Sequence, residues 1–320
     1  MDLLVVGDCN PDVLVLGEDV TPEFGQHEKL VRSISLVVGG SAAITAIAAA
    51  RLGVRVALAA TIGADPAGEF MLGQLTAAGV DTSAITVRPG CETGMTVALA
   101  PAGTGDRAIL TATGAMTSLT ADDVPRDLLA AARHVHVSSY FLLEQSLGPG
   151  LAALLATARA HGATTSLDTN WDPAGRWGGV QLRDALAHTD ILLPNEEEAL
   201  RLSGEPKLDA ATAALTTSGP AIVVKLGARG AMCEAAGRVD WISPPPRLDG
   251  PFVDATGAGD CFNAGLITGL LRGLDLAAAT RLGCAVGSAS TRAAGGTAAA
   301  PDLLTALNLA AIPETTPAAG

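Results

Sequence analysis

The sequence is poor in aromatic residues: Phe, Trp and Tyr make up 3% of 320 residues. A stacking surface for nucleic-acid bases is therefore not expected. Positive charge is also thin. Lys and Arg number 20 against 33 Asp and Glu, a formal net charge of −13, with no Lys/Arg cluster of five or more. Phosphate backbones and anionic membrane surfaces would be repelled, so neither nucleic acid nor membrane is an expected partner. No run of eighteen apolar residues occurs, and the richest stretch, SAAITAIAAARLG, is broken by Arg51 and reads as a soluble helix. The five cysteines, Cys9, Cys91, Cys233, Cys261 and Cys284, are scattered and never form a Cys-x-x-Cys pair. This argues against a disulfide framework or a zinc site and fits a reducing compartment. The start, MDLLVVGD, carries no basic segment or cleavage pattern, so the expected location is cytoplasmic.

What the chain does have is aliphatic mass. Apolar residues make up 48%, enough for one large α/β domain or two small ones. Short β-rich runs alternate with Ala/Leu-rich helices. LLVVG (3–7), VRVALAATIG (54–63), HVHVSS (134–139), TTSLD (164–168), DILLP (190–194) and AIVVKLG (221–227) read as strands. Helices are expected over about 66–78 and over 151–162, the latter closed by Gly162. This rhythm predicts an α/β fold, a mostly parallel central sheet with helices on both faces. In such sheets ligands bind beyond the carboxyl ends of the strands. Two regions, about 12–38 and 91–113, instead alternate polar and apolar residues, the second around a turn at Ala102–Asp106. They predict a small inserted β-lid. The expected organisation is a single domain over 1–311 and a flexible tail over 312–320.

The most informative stretch is DATGAGDCFNAGLITGLLRG, residues 254–273. Gly257 and Gly259 permit a crowded backbone and close approach of a ligand. Phe262, Leu266, Ile267, Leu270 and Leu271 follow at helical spacing. The turn therefore opens a helix, whose free amides and dipole favour an anion. Asp260 at that point either caps the helix or acts as a base, with the amides of Ala258, Gly259 and Asp260 holding charge on a transferring phosphoryl group. No GxxxxGK[ST] or complete GxGxxG is present, so neither a P-loop protein nor a Rossmann dehydrogenase is expected.

Several motifs, taken in order, resemble the ribokinase-like (PfkB) family of sugar and nucleoside kinases. They are VVGDCNPDVL (5–14), VVGGSAAITAIAAARLG (37–53), PNEEEA (194–199), KLGARG (225–230) and DATGAGDCFNAG (254–265). The resemblance implies a ribokinase-like fold with Asp260 as catalytic base and Gly257, Ala258 and Gly259 as the anion hole. It places Asn10 and Asp12 on the substrate, with Gly39 and Gly40 at the hinge between lid and domain and Ser41 beside them. Asp168 and Asn170 of LDTNWDP resemble a substrate-side Asp-x-Asn. Asn195 and Glu198 would lie near the phosphates and Mg2+, Glu198 through water, and Lys225, Gly227 and Gly230 on the nucleotide. Asp254 and Thr256, with the loop 291–297, would hold a K+ ion.

The sequence also departs from the family pattern. Ile44 stands where many relatives have Asn, Ser41 where many have Lys, and Tyr140 near the place of a substrate-facing Glu. These changes point away from ribose itself. The expected activity is ATP-dependent phosphorylation of a primary hydroxyl on a small sugar, with ATP, Mg2+ and K+ implied by resemblance. Alternatives are a nucleoside kinase and a non-catalytic sugar sensor. Lids of this family pair, which suggests a homodimer.

Overall fold

The computed structural model describes residues 1–101, 106–217, 219–245, 248 and 250–314. Its strands are β1 Leu3–Val6, β2 Asn10–Gly17, β3 Ser33–Gly39, β4 Val56–Gly63, β5 Ile85–Arg88, β6 Met95–Pro101, β7 Ala108–Ala112, β8 His134–Val137, β9 Thr164–Leu167, β10 Ile191–Leu192, β11 Ala221–Lys225, β12 Ala231–Ala235 and β13 Arg238–Ile242. Nine of them form one sheet in the order β13-β12-β11-β10-β9-β8-β1-β4-β5. From β11 to β5 every pairing is parallel, while β11–β12 and β12–β13 are antiparallel.

The continuous apolar strands are buried on both faces, as a sheet between two helical layers requires. Leu3 and Val5 of β1 pack with Ile47, Phe262 and Leu282 of the helices Ser41–Arg51, Ala258–Leu271 and Leu276–Ser290. Leu4 and Val6 face the other way, toward Leu151 and Leu155 of the helix Gly148–Ala160. Strand order runs outward from β1 to β4 and β5, then resumes at β8 on the other side of β1. The crevice at that reversal, beyond Val6 and Val137, is where a ligand is expected in such a sheet.

The two alternating regions meet as a separate four-stranded sheet, β3-β2-β6-β7. Its two hairpins are antiparallel, and β2 joins β6 in parallel. Its inner face carries Asn10, Asp12 and Leu14 at alternate positions, all buried. The lid expectation holds. Residues 102–105 of the turn expected at 102–106 lie outside the described residues.

Three features differ from expectation. The helix expected at 151–162 starts at Gly148, with Pro149 in its first turn where proline is tolerated. The 231–242 hairpin and β5 were not foreseen. Both lie at the sheet's edges, where strands are short and partly exposed and the apolar pattern is weak. Ile312, at the start of the segment expected to fray, is buried, and its amide donates to Leu307 O at 3.0 Å. Residues 315–320 of that segment lie outside the described residues.

Candidate active site

Gly257 ends the loop from β13 and precedes the helix Ala258–Leu271 with φ +71°. A β-carbon there would lie 2.5 Å from Gly296 Cα, so only glycine fits this turn. Asp260 sits in the first helical turn and is 9% exposed. Burial pushes its carboxyl up to about 7. Repulsion from Asp168 and Asp8 adds to this, while the Lys225 ammonium and a hydrogen bond from Ser41 oppose it. Among the described residues its side chain is not the helix cap.

Lys225 ends β11, and its Nζ donates to Asp168 Oδ2 at 2.5 Å. Asp168 is fully buried and also accepts Asn263 Nδ2 at 2.6 Å. Burial opposes its ionisation, but Lys225 and Asn263 outweigh it and hold the carboxyl below the usual range. Lys225 faces Asp168, Glu198 and Asp260 together, and this raises its pKa despite burial. Its Nζ lies 3.6 Å from the point a β-carbon on Gly259 would occupy. The cation thus stands beside the start of the Asp260 helix.

Asn170 Nδ2 donates to Ser41 Oγ at 2.7 Å and to Ser139 Oγ at 2.8 Å, tying the loop after β9 to the start of the helix Ser41–Arg51. On the lid side, Asn10 Nδ2 donates to Asp12 Oδ1 at 3.1 Å and to Thr96 Oγ1 at 3.2 Å. Burial and the neighbouring Asp8 push Asp12 up to about 7. A β-carbon on Gly39 would fall 1.8 Å from Asp12 Oδ1, and one on Gly40 3.0 Å from Asn10 Oδ1. The di-glycine is what lets these two polar side chains stand where they do.

Asn195 caps the helix Glu196–Ser203 in a capping box. Its Oδ1 accepts the Glu198 amide at 2.9 Å, and Glu198 Oε2 accepts the Asn195 amide at 2.8 Å. Glu198 is buried, and burial plus the charge of Asp168 push it up to about 7. Gly227 and Gly230, with φ +58° and +91°, make the turn between β11 and β12. Asp254 forms a separate knot: it accepts the Thr256 amide at 3.0 Å, the Thr256 hydroxyl at 2.8 Å and the Gly295 amide at 2.9 Å.

The structure therefore gathers Asp260, Ser41, Asn170, Asp168, Lys225 and Gly259 at one end of the sheet, with Asp12 linked to them through Asp8. Asp254 and Thr256 lie beneath, bracing the 254–257 loop against the 291–297 loop. Two residues at which the sequence departs from the family pattern are buried. Ile44 packs with its Cδ1 close to Gly257 and Gly296, beneath the 254–257 turn. Tyr140 is fully buried, its ring 5.3 Å from Phe141.

Asp8 was missed. Its carboxylate accepts the amides of Ser41 at 3.1 Å and Ala42 at 3.0 Å, capping a helix whose N-cap, Gly40, has no side chain. Burial raises its pKa, and its charge raises those of Asp12 and Asp260. The only sequence signal was its place directly after a strand.

A helix start with crowded glycines, a buried acid and a neighbouring ammonium is a place where a transferring anion can be held. The sequence matches the pfkB family of carbohydrate kinases over residues 1–303, and the chain belongs to that family. It is 30% identical to a ribokinase of Bacillus subtilis over 281 residues, 88% of this chain and 89% of that one. It is 28% identical to a nucleoside kinase of Methanothermobacter thermautotrophicus, over 90% of this chain and 88% of that one. An Escherichia coli structure in complex with ATP and Mg2+ shares the fold with a TM-score of 0.82 at 24% identity, over 96% of this chain and 98% of that one. No helix among the described residues is long and apolar enough to cross a membrane.

Proposed function

We propose that the protein transfers the γ-phosphoryl group of ATP to a primary hydroxyl of a small sugar, with Asp260 as the base. The observation that carries this reading is the Asp260 carboxyl: buried, raised to about 7, and placed in a helix's first turn beside the Lys225 ammonium. A base with a pKa near the working pH takes a proton efficiently. Asn10 and Asp12 hold substrate hydroxyls, and the lid above them excludes water that would otherwise accept the phosphoryl group. Gly39, Gly40 and Ser41 bring the backbone close to the substrate, and Asn170 orients Ser41. The backbone of Gly257, Ala258 and Gly259 forms the anion hole, where the amides of Gly259 and Asp260 hold charge on the transferring group; the Ala258 amide donates to Ala255 O at 3.2 Å and braces the turn. Lys225 leaves Asp168 to share in that task. Asn195, Glu198, Gly227 and Gly230 form the nucleotide side.

The charge balance fits Mg2+. Asp8, Asp12, Asp168, Glu198 and Asp260 are buried, and the Lys225 ammonium faces three of them, Asp168, Glu198 and Asp260. Among the described residues no three acidic, His or Cys side chains form a metal cage, which fits an ion held mainly by phosphates and water. Mg2+ would neutralise the developing phosphate charge, and Glu198 would reach it through water. Asp254 is buried and gathers the Thr256 hydroxyl and the amides of Thr256 and Gly295, a carboxylate-centred knot beside which a K+ ion would sit with Thr256.

The test is ADP release from ATP and Mg2+ across free sugars, sugar acids and nucleosides, with and without K+. One strong sugar hit is the expected result. A nucleoside hit moves the substrate class, and binding of sugar and ATP without turnover identifies a sensor instead.

A further inference from the structure

On the face of the sheet that carries Leu3 and Val5 lies a row of buried polar side chains that the proposed reaction does not use. His134 and His136 of β8 pair in register with Thr164 and Ser166 of β9. Both histidines, Ser166 and Ser138 are fully buried. They form one continuous chain. Ser138 Oγ lies 2.9 Å from His136 Nε2, His136 Nδ1 lies 2.7 Å from Ser166 Oγ, Ser166 Oγ lies 2.7 Å from His134 Nε2, and His134 Nδ1 lies 2.6 Å from Thr164 Oγ1.

Hydrogen accounting gives this chain a direction. Burial lowers His134 to about 3. It lowers His136 to about 4, where Asp168 pulls upward and Lys225 downward. Both rings are therefore neutral near pH 7, and each has one donor and one acceptor nitrogen. Among the described residues the partners of Ser166 Oγ are the two rings alone, so its one hydroxyl hydrogen finds an acceptor only if one ring donates to it and the other accepts. The tautomers of the two rings are thus locked together.

The ends choose between the two possible directions. Among the described residues, the only hydrogen-bond partner of the Ser138 hydroxyl is His136 Nε2. The opposite direction would leave that buried hydroxyl hydrogen without an acceptor, which is costly. At the other end Thr164 Oγ1 donates to Arg133 O at 3.4 Å, leaving its lone pairs to accept from His134. Every hydrogen is satisfied only if Ser138 donates to His136, His136 Nδ1–H to Ser166, Ser166 to His134 and His134 Nδ1–H to Thr164.

We propose that this one-directional chain is a positioning device for the Asp168–Lys225 pair, with His134 and His136 both held as the Nδ1–H tautomer. Two features argue for that role. Asp168 comes two residues after Ser166, and its amide donates to Val137 O at 2.8 Å, so the chain braces the strand ends that carry Ser139, Asp168 and Asn170. It closes only in the observed register, because a slip of one residue would turn the partners to opposite faces. All its O–H and N–H bonds also point away from the site. The chain therefore presents its negative end there, within electrostatic reach of Lys225, and favours the charged ammonium. The link to phosphoryl transfer rests on the proposed function; the tautomers do not.

Imidazole nitrogen NMR on the 15N-labelled full chain reads the tautomers directly. Both rings are expected to carry hydrogen on Nδ1 and none on Nε2 from pH 5 to pH 8. Nε2–H in either ring, or titration within that range, overturns the proposal. The positioning role is read in Ser166→Ala and Ser166→Thr. The alanine variant should shift the Lys225 ammonium resonance and lower kcat about tenfold, as a displacement of reacting groups would. KM for ATP should stay within about twofold of the wild-type value, and the threonine variant, which restores the bridging hydroxyl, should recover both readouts. A folded alanine variant with an unmoved Lys225 resonance refutes positioning. Should the wild type release no ADP, the kinase reading fails alone, because the tautomers and the Lys225 resonance need no turnover.

Discussion

Asp260 sits in an environment that works against its own charge. Its raised pKa, about 7, means that the folded chain holds a proton there more tightly than the unfolded chain does. The stability this contributes is present below the unfolded value and is lost as pH rises through about 7. If Asp260 is the proposed base, Asp260→Asn should cut turnover at least ~100-fold, and the loss of the buried charge should raise Tm at pH 8 by about 2 °C or more. Turnover assays and thermal denaturation of the two proteins check both halves. Gly39 makes a second residue-scale case. Gly39→Ala would drive a methyl group into the Asp12 carboxylate. The expected result is a KM for sugar raised about tenfold or more, the loss of one charged hydrogen bond, with KM for ATP unchanged in steady-state kinetics. The glycines and acids of both motifs were legible in the sequence because their spacing is local. Their mutual contacts were not, since Asp12 and Gly39 meet only once β2 and β3 pair.

Among elements, the helix Ser41–Arg51 shows where local reading fails. Capping signals are normally found within three residues of a helix start. Here the cap is Asp8, which precedes Ser41 by 33 positions and reaches it because β1 ends beneath the helix. The Asp8 charge also raises Asp260. Asp8→Asn keeps an acceptor for the helix and removes that charge, so the acid limb of the kcat/KM profile should move to lower pH. Asp8→Ala also loses the cap, at about 1 kcal/mol of stability by denaturant titration. In contrast, the helix Glu196–Ser203 carries its capping box in Asn195 and Glu198, three positions apart, and its start was readable from PNEEEA alone.

For the whole molecule, Asp12, Glu198 and Asp260 all have carboxyls pushed up to about 7. Each contributes stability that is lost as pH rises through that value. Asp168, held low by Lys225 and Asn263, works the opposite way and loses its contribution only in acid. The ligand-free protein should thus melt at a higher temperature at pH 6 than at pH 8, and scanning calorimetry across that range checks it. The lid gives a second prediction. Register places Ile34, Val15, Leu99 and Ala108 in one row and Leu36, Val13, Val97 and Leu110 in the next, all on the face turned away from the site. Ile34, Leu36 and Leu110 are 65%, 48% and 66% exposed. An apolar sheet face of this extent suits a second copy of the chain. Sedimentation should show a dimer that Leu36→Glu with Leu110→Glu converts to a monomer; a monomeric wild type refutes it.

The sequence by itself determined the alternation of strands and helices, the inserted lid and the glycine-flanked acid at a helix start. These follow from periodicity and from backbone freedom over a few residues. The tertiary structure alone decided that Lys225 meets Asp168, that Ile44 packs beneath the 254–257 turn, that Asp8 caps a distant helix, and that two buried histidines are joined through serines. Each of these depends on which strands become neighbours. In a parallel sheet, neighbouring strands are joined by long crossovers, so no short-range pattern records their pairing.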